Sequence, residues 1–359
     1  MRPATRVLIV DDSATARHAL REALRTDSSI EVVGEAATGD QAGREVLRLR
    51  PDIVTMDVYL HRENGIDVAA TLMRDMPLPI LVVTGRDPGD PKLLYDALAA
   101  GALDVFCKLP IRTAPTYDVQ RRRLIRLLLA LSRVPVVRRR RAMVARQVPP
   151  APITRPMNDT SRRPEVILLG ASTGGPPVVA ELLRSLPSPC ALPIVLVQHL
   201  AEGFDTGFAT WLKEVTGHSI EIVRAPTFAR SGRVYLAPSG HHLVFSSRGA
   251  LALSDAPPRS HQTPSIDVLF ESAAALLGDA VVAVVLTGMG RDGERGVIEL
   301  KRQGAVILAQ APETCAVSGM PDSAIATGTV DAVLDPASIA ATLRLFASRA
   351  TGRTVRVEV

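Results

Sequence analysis

Short apolar segments alternate with amphipathic segments over the first third of the chain. The apolar segments have the length of buried strands, and the segments between them carry apolar residues at helical spacing. Strands are predicted at residues 6–10, 31–33, 53–56, 80–83 and 104–107. Helices are predicted at residues 14–24, 42–49, 68–73 and 117–131. This alternation predicts a parallel sheet with right-handed crossovers and helices on both faces, in a domain formed by residues 1–133.

A second alternation of the same kind begins near residue 166 and ends near Phe346. Its strands are predicted at residues 166–169, 193–197, 220–222, 234–237, 280–286 and 305–309. We therefore assign residues 165–350 to a second domain. The predicted fold class is α/β, with two doubly wound parallel-sheet domains, a smaller (βα)5 unit and a Rossmann-like three-layer unit.

Residues 134–164, between the two predicted domains, have a different composition. Four consecutive arginines at 138–141 are followed by five prolines before residue 165. From residue 111 to residue 164 there are 14 arginines and two aspartates, so the formal charge of +5 on the whole chain comes from this region. Such a composition cannot bury a core and predicts a linker. A charge run of this kind is usually solvated, and no nucleic-acid partner is expected.

Length and cysteine usage narrow the class of protein. The chain has 359 residues and 47% hydrophobic content, enough for two cores of ordinary size. Its three cysteines, Cys107, Cys190 and Cys315, lie far apart without a metal-ligand spacing, which favours a reduced, cytoplasmic protein. The longest apolar runs are strand-length, well short of the roughly 20 residues of a membrane helix. We expect no membrane span.

Polar residues collect where the strands of the first domain end. Asp11 and Asp12 follow the first strand, Asp57 the third, Thr84 the fourth and Lys108 the fifth. Because the carboxyl ends of parallel strands share one edge, these side chains should meet there. Three carboxylates together suit Mg²⁺, and a carboxylate at such a site can attack phosphorus. Lys108 would then supply positive charge to phosphoryl oxygens, and Thr84 a hydrogen bond. The alternative for a single such aspartate is a helix N-cap.

With these residues in this order, residues 5–133 resemble the receiver domains of two-component response regulators. The resemblance implies that Asp57 accepts a phosphoryl group, that Asp11, Asp12 and Asp57 surround Mg²⁺, and that a histidine kinase is the phosphodonor. The chain departs from the usual receiver pattern at three places. Tyr59-Leu60-His61 stand soon after Asp57, Val105 stands before Phe106, and Leu109 follows Lys108.

One serine, one histidine and one aspartate follow three predicted strands of the second domain. Ser172 lies in Gly170-Ala171-Ser172-Thr173-Gly174, His199 follows Gln198, and Asp292 lies in a glycine-rich turn after the strand at 280–286. The pentapeptide matches the G-x-S-x-G turn that exposes a nucleophilic hydroxyl, and the three residues predict a hydrolytic triad.

Other interpretations of these residues stay open at the level of sequence. The loop at Ser172 could cradle phosphate at a helix N-terminus, although it lacks the glycine pattern of a dinucleotide site. His199 could be a satisfied core imidazole, and Asp292 could cap the helix that contains Val297 and Leu300. Rival bases are His218, His241, His242 and His261.

The sequence motifs around the three residues are more specific than the triad itself. The segments that carry them are 167–175, Gln198-His199, Ala237-Pro238 with His242, 264–270, 286–293 and Gly319-Met320-Pro321. Together they resemble the chemotaxis protein-glutamate methylesterases, the CheB family. Departures are minor: Thr263 stands where a basic residue is frequent, and Ser239 where glycine is frequent.

That resemblance implies hydrolysis of glutamate γ-methyl esters on chemoreceptors, with release of methanol, and deamidation of receptor glutamines. Ser172 is then the nucleophile, His199 the base and Asp292 its partner, with the backbone N–H groups of Thr173 and Met289 as oxyanion donors. The esterase reaction is expected to need no cofactor, and contact with membranes to occur only through the receptors. Three alternatives are a DNA-binding response regulator, a non-catalytic docking regulator, and an esterase that serves a non-chemotaxis signalling array.

Overall fold

A computed structural model describes residues 3–85, 93, 96–98, 100–134, 164–200, 203–260 and 262–350. The chain forms two compact units, Met1–Gln147 and Val148–Val359. The domain boundaries at 133/134 and 164/165 remain predictions, and most of the predicted linker lies outside the described residues, as does His261.

The first unit contains a five-stranded parallel sheet with helices formed by the intervening segments. Its strands are β1 (Thr5–Val10), β2 (Ile30–Ala36), β3 (Ile53–Met56), β6 (Ile80–Thr84) and β7 (Asp104–Cys107), in the spatial order β2-β1-β3-β6-β7. Two short strands, β4 (Tyr59–Leu60) and β5 (Glu63–Asn64), pair with each other after β3. The helices are α1 (Ala14–Leu24), α2 (Gly39–Leu49), α3 (Gly65–Asp75) and α4 (Tyr117–Leu131). This is the α/β architecture that the alternating pattern predicts.

The second unit is built around a seven-stranded parallel sheet. Its strands are β8 (Val166–Ala171), β9 (Ile194–Gln198), β10 (Ser219–Ile222), β12 (Arg233–Leu236), β15 (Val281–Val285), β16 (Val306–Gln310) and β17 (Ala332–Leu334), in the order β10-β12-β9-β8-β15-β16-β17. The helices are α5 (Gly175–Ser185), α6 (Asp205–Thr216), α7 (Ile266–Leu277), α8 (Glu294–Arg302), α9 (Gly319–Ala326) and α10 (Pro336–Ala350). Residues of β8, β9 and β15 are buried throughout, as expected for central parallel strands.

An antiparallel sheet that the sequence pattern did not predict lies between β10 and α7 along the chain. It consists of β11 (Thr227–Phe228), β14 (Ala250–Ser254) and β13 (His242–Ser247). Leu243 and Phe245 of β13 belong to the same buried apolar cluster as Leu269 and Phe270 of α7. The antiparallel sheet therefore packs against α7, whose first turn borders the site described below.

Candidate active sites

Ser172 and His199 lie one residue beyond paired strand ends of the second unit. Ala171 of β8 is in register with Gln198 of β9, and the His199 N–H donates to the Ala171 carbonyl at 2.9 Å. On the other side of β8, the Ser172 N–H donates to the carbonyl of Thr287, just after β15, at 3.0 Å. The three central strands thus bring the chain segments of all three predicted residues to one edge of the sheet.

His199 and Asp292 form a buried pair. The distance from His199 Nε2 to Asp292 Oδ2 is 2.8 Å, and the two side chains are only 3% and 2% exposed. Burial raises the pKa of Asp292, but the hydrogen bond and charge of His199 and backbone N–H donors outweigh it, so that the net pKa is lowered. Asp292 is therefore ionised, and Nε2 of the imidazole carries the hydrogen that it donates.

The second ring nitrogen of His199 is left to accept a proton. His199 Nδ1 is buried and has no hydrogen-bond partner among the described residues. The Ser172 hydroxyl and this nitrogen are therefore not hydrogen bonded in this structure. Bonds between nucleophile and base are often long in unliganded sites and tighten only when substrate binds. Nε2 is thus occupied by Asp292, and Nδ1 is the ring nitrogen without a partner in the described part of the chain.

The Asp292 carboxylate accepts three further hydrogen bonds from the start of α7. Oδ1 accepts from Ser265 Oγ at 2.7 Å and from the Asp267 N–H at 3.0 Å, and Oδ2 accepts from the Ile266 N–H at 2.8 Å. Asp292 does not cap its own helix: the N-cap of α8 is Gly293. The carboxylate is thus held on both oxygens, with one oxygen directed at His199.

The turn that carries Ser172 is held by a neighbouring side chain and by a close backbone approach. Gln198 Nε2 donates to the Ser172 carbonyl at 2.8 Å and to the His199 carbonyl at 3.1 Å. A Cβ on Gly288 would lie 2.6 Å from the Cβ of Ser172, so only glycine fits there. The backbone N–H groups of Thr173 and Met289 have no hydrogen-bond acceptor among the described residues, which leaves them available to an oxyanion.

The rival histidines have other partners. His218 bonds to the carbonyl of Leu183 at 2.9 Å, and the exposed His241 pairs with Asp255 at 2.6 Å. His242 is fully buried, and its Nδ1 accepts from the Ser265 N–H at 3.1 Å. None of the three contacts Ser172 or Asp292 directly, whereas His199 lies beside both chain segments.

At the carboxyl edge of the first sheet, Asp11, Asp12 and Asp57 each offer an oxygen atom within 4.8 Å of the others. Lys108 Nζ lies 2.7 Å from Asp11 Oδ2 and 2.9 Å from Asp57 Oδ2. Asp12 Oδ2 accepts from the N–H of His61 at 3.1 Å. Oxygen ligands converging in this way fit Mg²⁺, and two of these carboxylates, Asp11 and Asp57, hold the lysine that the sequence pattern places there.

The charged groups at this edge of the sheet shift one another's pKa values. Burial raises the pKa of Asp57, and the hydrogen bond and charge of Lys108 only partly oppose it. Burial alone would lower the pKa of Lys108, but hydrogen bonds to Asp11 and Asp57 raise it. The ammonium therefore stays charged between the two carboxylates. Thr84 is fully buried at the end of β6, and its carbonyl accepts from the Lys108 N–H at 2.7 Å.

The loop after Asp57 requires a glycine at residue 65. A Cβ there would overlap the carbonyl oxygen of Asp57, and the Gly65 N–H donates to the carbonyl of Val58 at 2.7 Å. Asp57 Oδ1 also accepts from the Val58 N–H at 2.8 Å. The start of α3 thus fixes the backbone that presents Asp57.

These two sites and two folds define a class: a response-regulator receiver domain followed by a three-layer α/β domain with a candidate hydrolytic site. Family models bear this out, with the response regulator receiver domain matching residues 7–113 and CheB methylesterase matching residues 167–343. The chain belongs to the CheB family of two-domain protein-glutamate methylesterases.

Individual relatives agree over nearly the whole chain. A protein-glutamate methylesterase/protein-glutamine glutaminase of Anaeromyxobacter dehalogenans is 40% identical over 96% of this chain and 99% of its own length. One of Syntrophus aciditrophicus is 38% identical over 94% of this chain and 97% of its own length. Among solved structures, the CheB methylesterase catalytic domain of Thermotoga maritima is 32% identical and covers 50% of this chain and 97% of that one, with a TM-score of 0.49.

None of the helices in the described ranges combines the length and the apolar character needed to cross a bilayer.

Proposed function

We propose that this protein hydrolyses glutamate γ-methyl esters on chemoreceptors and deamidates receptor glutamines, under control of phosphorylation at its receiver domain. The relatives are named for both activities and match 94% and 96% of the chain. The observation that carries the proposal is the buried His199–Asp292 pair beside the Ser172 turn, because it supplies a base next to a candidate nucleophile.

In the proposed reaction, Ser172 Oγ attacks the ester carbonyl carbon while His199 Nδ1 takes the hydroxyl proton. Asp292 stabilises the imidazolium through Nε2, and the N–H groups of Thr173 and Met289 donate to the oxyanion. The C–O bond to the methoxy group then breaks, and His199 returns the proton so that methanol leaves. Water hydrolyses the acyl-enzyme by the same proton path. A glutamine amide gives the same acyl-enzyme, with ammonia as the leaving group.

In the receiver domain, Asp57 is the proposed phosphoryl acceptor. Asp11, Asp12 and Asp57 would hold Mg²⁺, which neutralises phosphoryl oxygens when it is bound. The Asp57 carboxylate attacks phosphorus as the P–N bond to the donor's phosphohistidine breaks and the imidazole leaves. Lys108 binds the transferred oxygens, and the Thr84 hydroxyl donates a hydrogen bond. The phosphodonor would be a chemotaxis histidine kinase. Free thiols at Cys107, Cys190 and Cys315 suit a reducing compartment, and we propose that the protein acts in the cytoplasm.

The hydrolase proposal is tested by methanol release from chemoreceptor membranes that carry labelled methyl esters. Ser172→Ala and His199→Ala should each reduce release by at least about 10³-fold, because the two residues act as a unit. His241→Ala is the matched control, since His241 is exposed and pairs with Asp255. Full release by Ser172→Ala would overturn the mechanism.

Regulation is tested in the same assay with Mg²⁺ and a small phosphodonor such as acetyl phosphate. The wild type should respond to the phosphodonor, whereas Asp57→Asn should keep its basal rate and lose the response. An equal response in Asp57→Asn would exclude Asp57 as the acceptor.

A further inference from the structure

Ser265 and His242 extend the hydrogen-bond network of the His199–Asp292 pair away from the imidazole. Both are fully buried. Ser265 Oγ donates to Asp292 Oδ1 at 2.7 Å, and the Ser265 N–H donates to His242 Nδ1 at 3.1 Å. A continuous series of hydrogen bonds therefore runs from His242, the first residue of β13, through Ser265 to the Asp292 carboxylate, which pairs with His199.

The contacts determine which atoms carry hydrogen along this series of hydrogen bonds. Because the Ser265 N–H needs an acceptor, Nδ1 of His242 is unprotonated, and its Nε2 carries the hydrogen. That nitrogen contacts the carbonyl of Pro257 at 3.2 Å and donates to it. Each end of the His242 ring is thus occupied, so the ring has one tautomer and one orientation. The role of this histidine is that of an anchor.

Ser265 differs from the other α7 partners of Asp292 because it donates from its side chain. Apart from His199, it provides the one side-chain hydrogen bond to this carboxylate among the described residues; the other donors are the N–H groups of Ile266 and Asp267. It binds Oδ1, opposite the oxygen that faces His199. Rotation of the carboxylate about its Cβ–Cγ bond would break this bond. Ser265 therefore holds the plane of the carboxylate together with the two backbone donors.

We propose that Ser265 and His242 form a positioning pair, which acts through Asp292 to keep His199 Nδ1 directed at the Ser172 hydroxyl; this rests on the proposed triad. His242 fixes the start of α7 so that Ser265 Oγ reaches Oδ1. Neither residue touches substrate, so both affect turnover and leave substrate affinity unchanged.

The role of Ser265 is tested with a double-mutant cycle. Ser265→Ala should lower kcat by about 10- to 100-fold at constant KM, the size expected for loss of a buried hydrogen bond to a charged group. In an Asp292→Ala background the same change should have no further effect on kcat. Ser272→Ala is the matched control, because Ser272 lies on the same helix and its hydroxyl binds only backbone groups of Leu269 and Phe245. Equal losses in both backgrounds would overturn the proposal.

Two variants separate the anchor role of His242 from mere support of the Pro257 loop. In His242→Asn the amide oxygen can replace Nδ1 and accept from the Ser265 N–H, whereas in His242→Gln the amide nitrogen can replace Nε2 and donate to the Pro257 carbonyl. We expect His242→Asn to keep kcat within about 3-fold of the wild type. The kcat of His242→Gln should fall as far as that of Ser265→Ala. Equal losses, or the reverse order, would overturn the assignment.

Both tests are read with p-nitrophenyl acetate as well as with methylated receptor. The small ester uses the same Ser172–His199 proton path, so the positioning role can be measured whatever the natural ester is. If Ser172→Ala kept receptor demethylation, the proposed function would fail; if the cycle were additive with the small ester, only the positioning pair would fail.

Discussion

Asp267 and Asp292 cap each other's helices. Asp292 directly precedes the N-cap of α8, yet its carboxylate accepts the N–H groups at the start of α7. Asp267, in the first turn of α7, accepts the N–H of Gly296 in α8 at 2.8 Å. The N–H groups at the start of each helix thus obtain a carboxylate acceptor from the other segment, and the Asp292 carboxylate lies at His199.

Burial of the Asp267 carboxyl group makes the stability of the protein depend on pH. Burial raises the pKa of Asp267 to about 6, with Asp292 and Glu271 adding to the shift and Gly296 and Arg259 opposing it. The folded protein therefore binds the proton at pH values where the unfolded chain, with a pKa of 3.8, has lost it. The free energy of unfolding then falls as pH rises from about 4 to about 6, by up to about 3 kcal/mol for this group.

Asp267→Asn should remove this dependence, because the amide oxygen still accepts from Gly296 and carries no charge. We expect the variant to gain stability relative to the wild type at pH 7 and to gain little at pH 4. Unfolding of the full chain can be followed by the fluorescence of Trp211, its single tryptophan, which lies in α6. A constant stability difference between pH 4 and pH 7 would exclude the raised pKa.

Gly288→Ala should abolish esterase activity. The added Cβ would lie 2.6 Å from the Cβ of Ser172 and would also overlap Met320, so the nucleophile must move. Displacing a reacting group by about 1 Å costs on the order of 10²-fold in rate. The measurement is kcat with p-nitrophenyl acetate, together with Trp211 fluorescence to show that the unit is folded. Activity within 2-fold of the wild type would contradict this packing.

Gly65→Ala should disable the receiver domain. Its Cβ would overlap the backbone carbonyl of Asp57, and a backbone atom cannot move aside as a side chain can. We expect loss of phosphorylation by acetyl phosphate, with the basal esterase rate preserved. Gly43→Ala in α2 is the matched control, because its Cβ would have no neighbour within 4 Å. Normal phosphorylation of Gly65→Ala would show that the loop adopts another conformation.

Lys108→Met should tighten Mg²⁺ binding while abolishing the response to phosphodonor. Removing the ammonium leaves Asp11 and Asp57 without the cation that now lies 2.7 and 2.9 Å from them, so a metal ion replaces it more easily. The change can be measured by calorimetric titration with MgCl₂. Lys301→Met is the matched control, since Lys301 pairs with Asp331 in the other unit. Weaker Mg²⁺ binding in Lys108→Met would contradict the competition between lysine and metal.

The placement of the site residues at strand ends follows from the sequence, because alternation of apolar and amphipathic segments fixes where parallel strands stop. Residues 53–56, 104–107, 14–24 and 117–131 form the predicted elements with the predicted bounds. Most other strands extend one to three residues beyond a predicted end, because backbone pairing continues past the apolar core, whereas β15 is one residue shorter than predicted at each end. The family and its two activities were likewise indicated by the motifs around Ser172 and Asp292.

What the sequence pattern missed depends on contacts between distant segments. The antiparallel sheet escaped prediction since β11 has two residues and β13 alternates only weakly. A local rule left open that Asp292 caps its own helix, whereas the structure gives it partners 25 to 27 residues earlier in the chain. His242 was a rival base by residue type alone, and Ser265, just before a helical pattern, could have been noticed only as an N-cap.

The strands beneath the triad, β9, β8 and β15, occupy the third to fifth places of the seven-stranded sheet, so no triad residue follows an edge strand. Variation at the margins, β10 and β17, can accumulate without disturbing the proton path. A tag or insert at either margin of this sheet would therefore be separated from the central strands by at least one strand on each side.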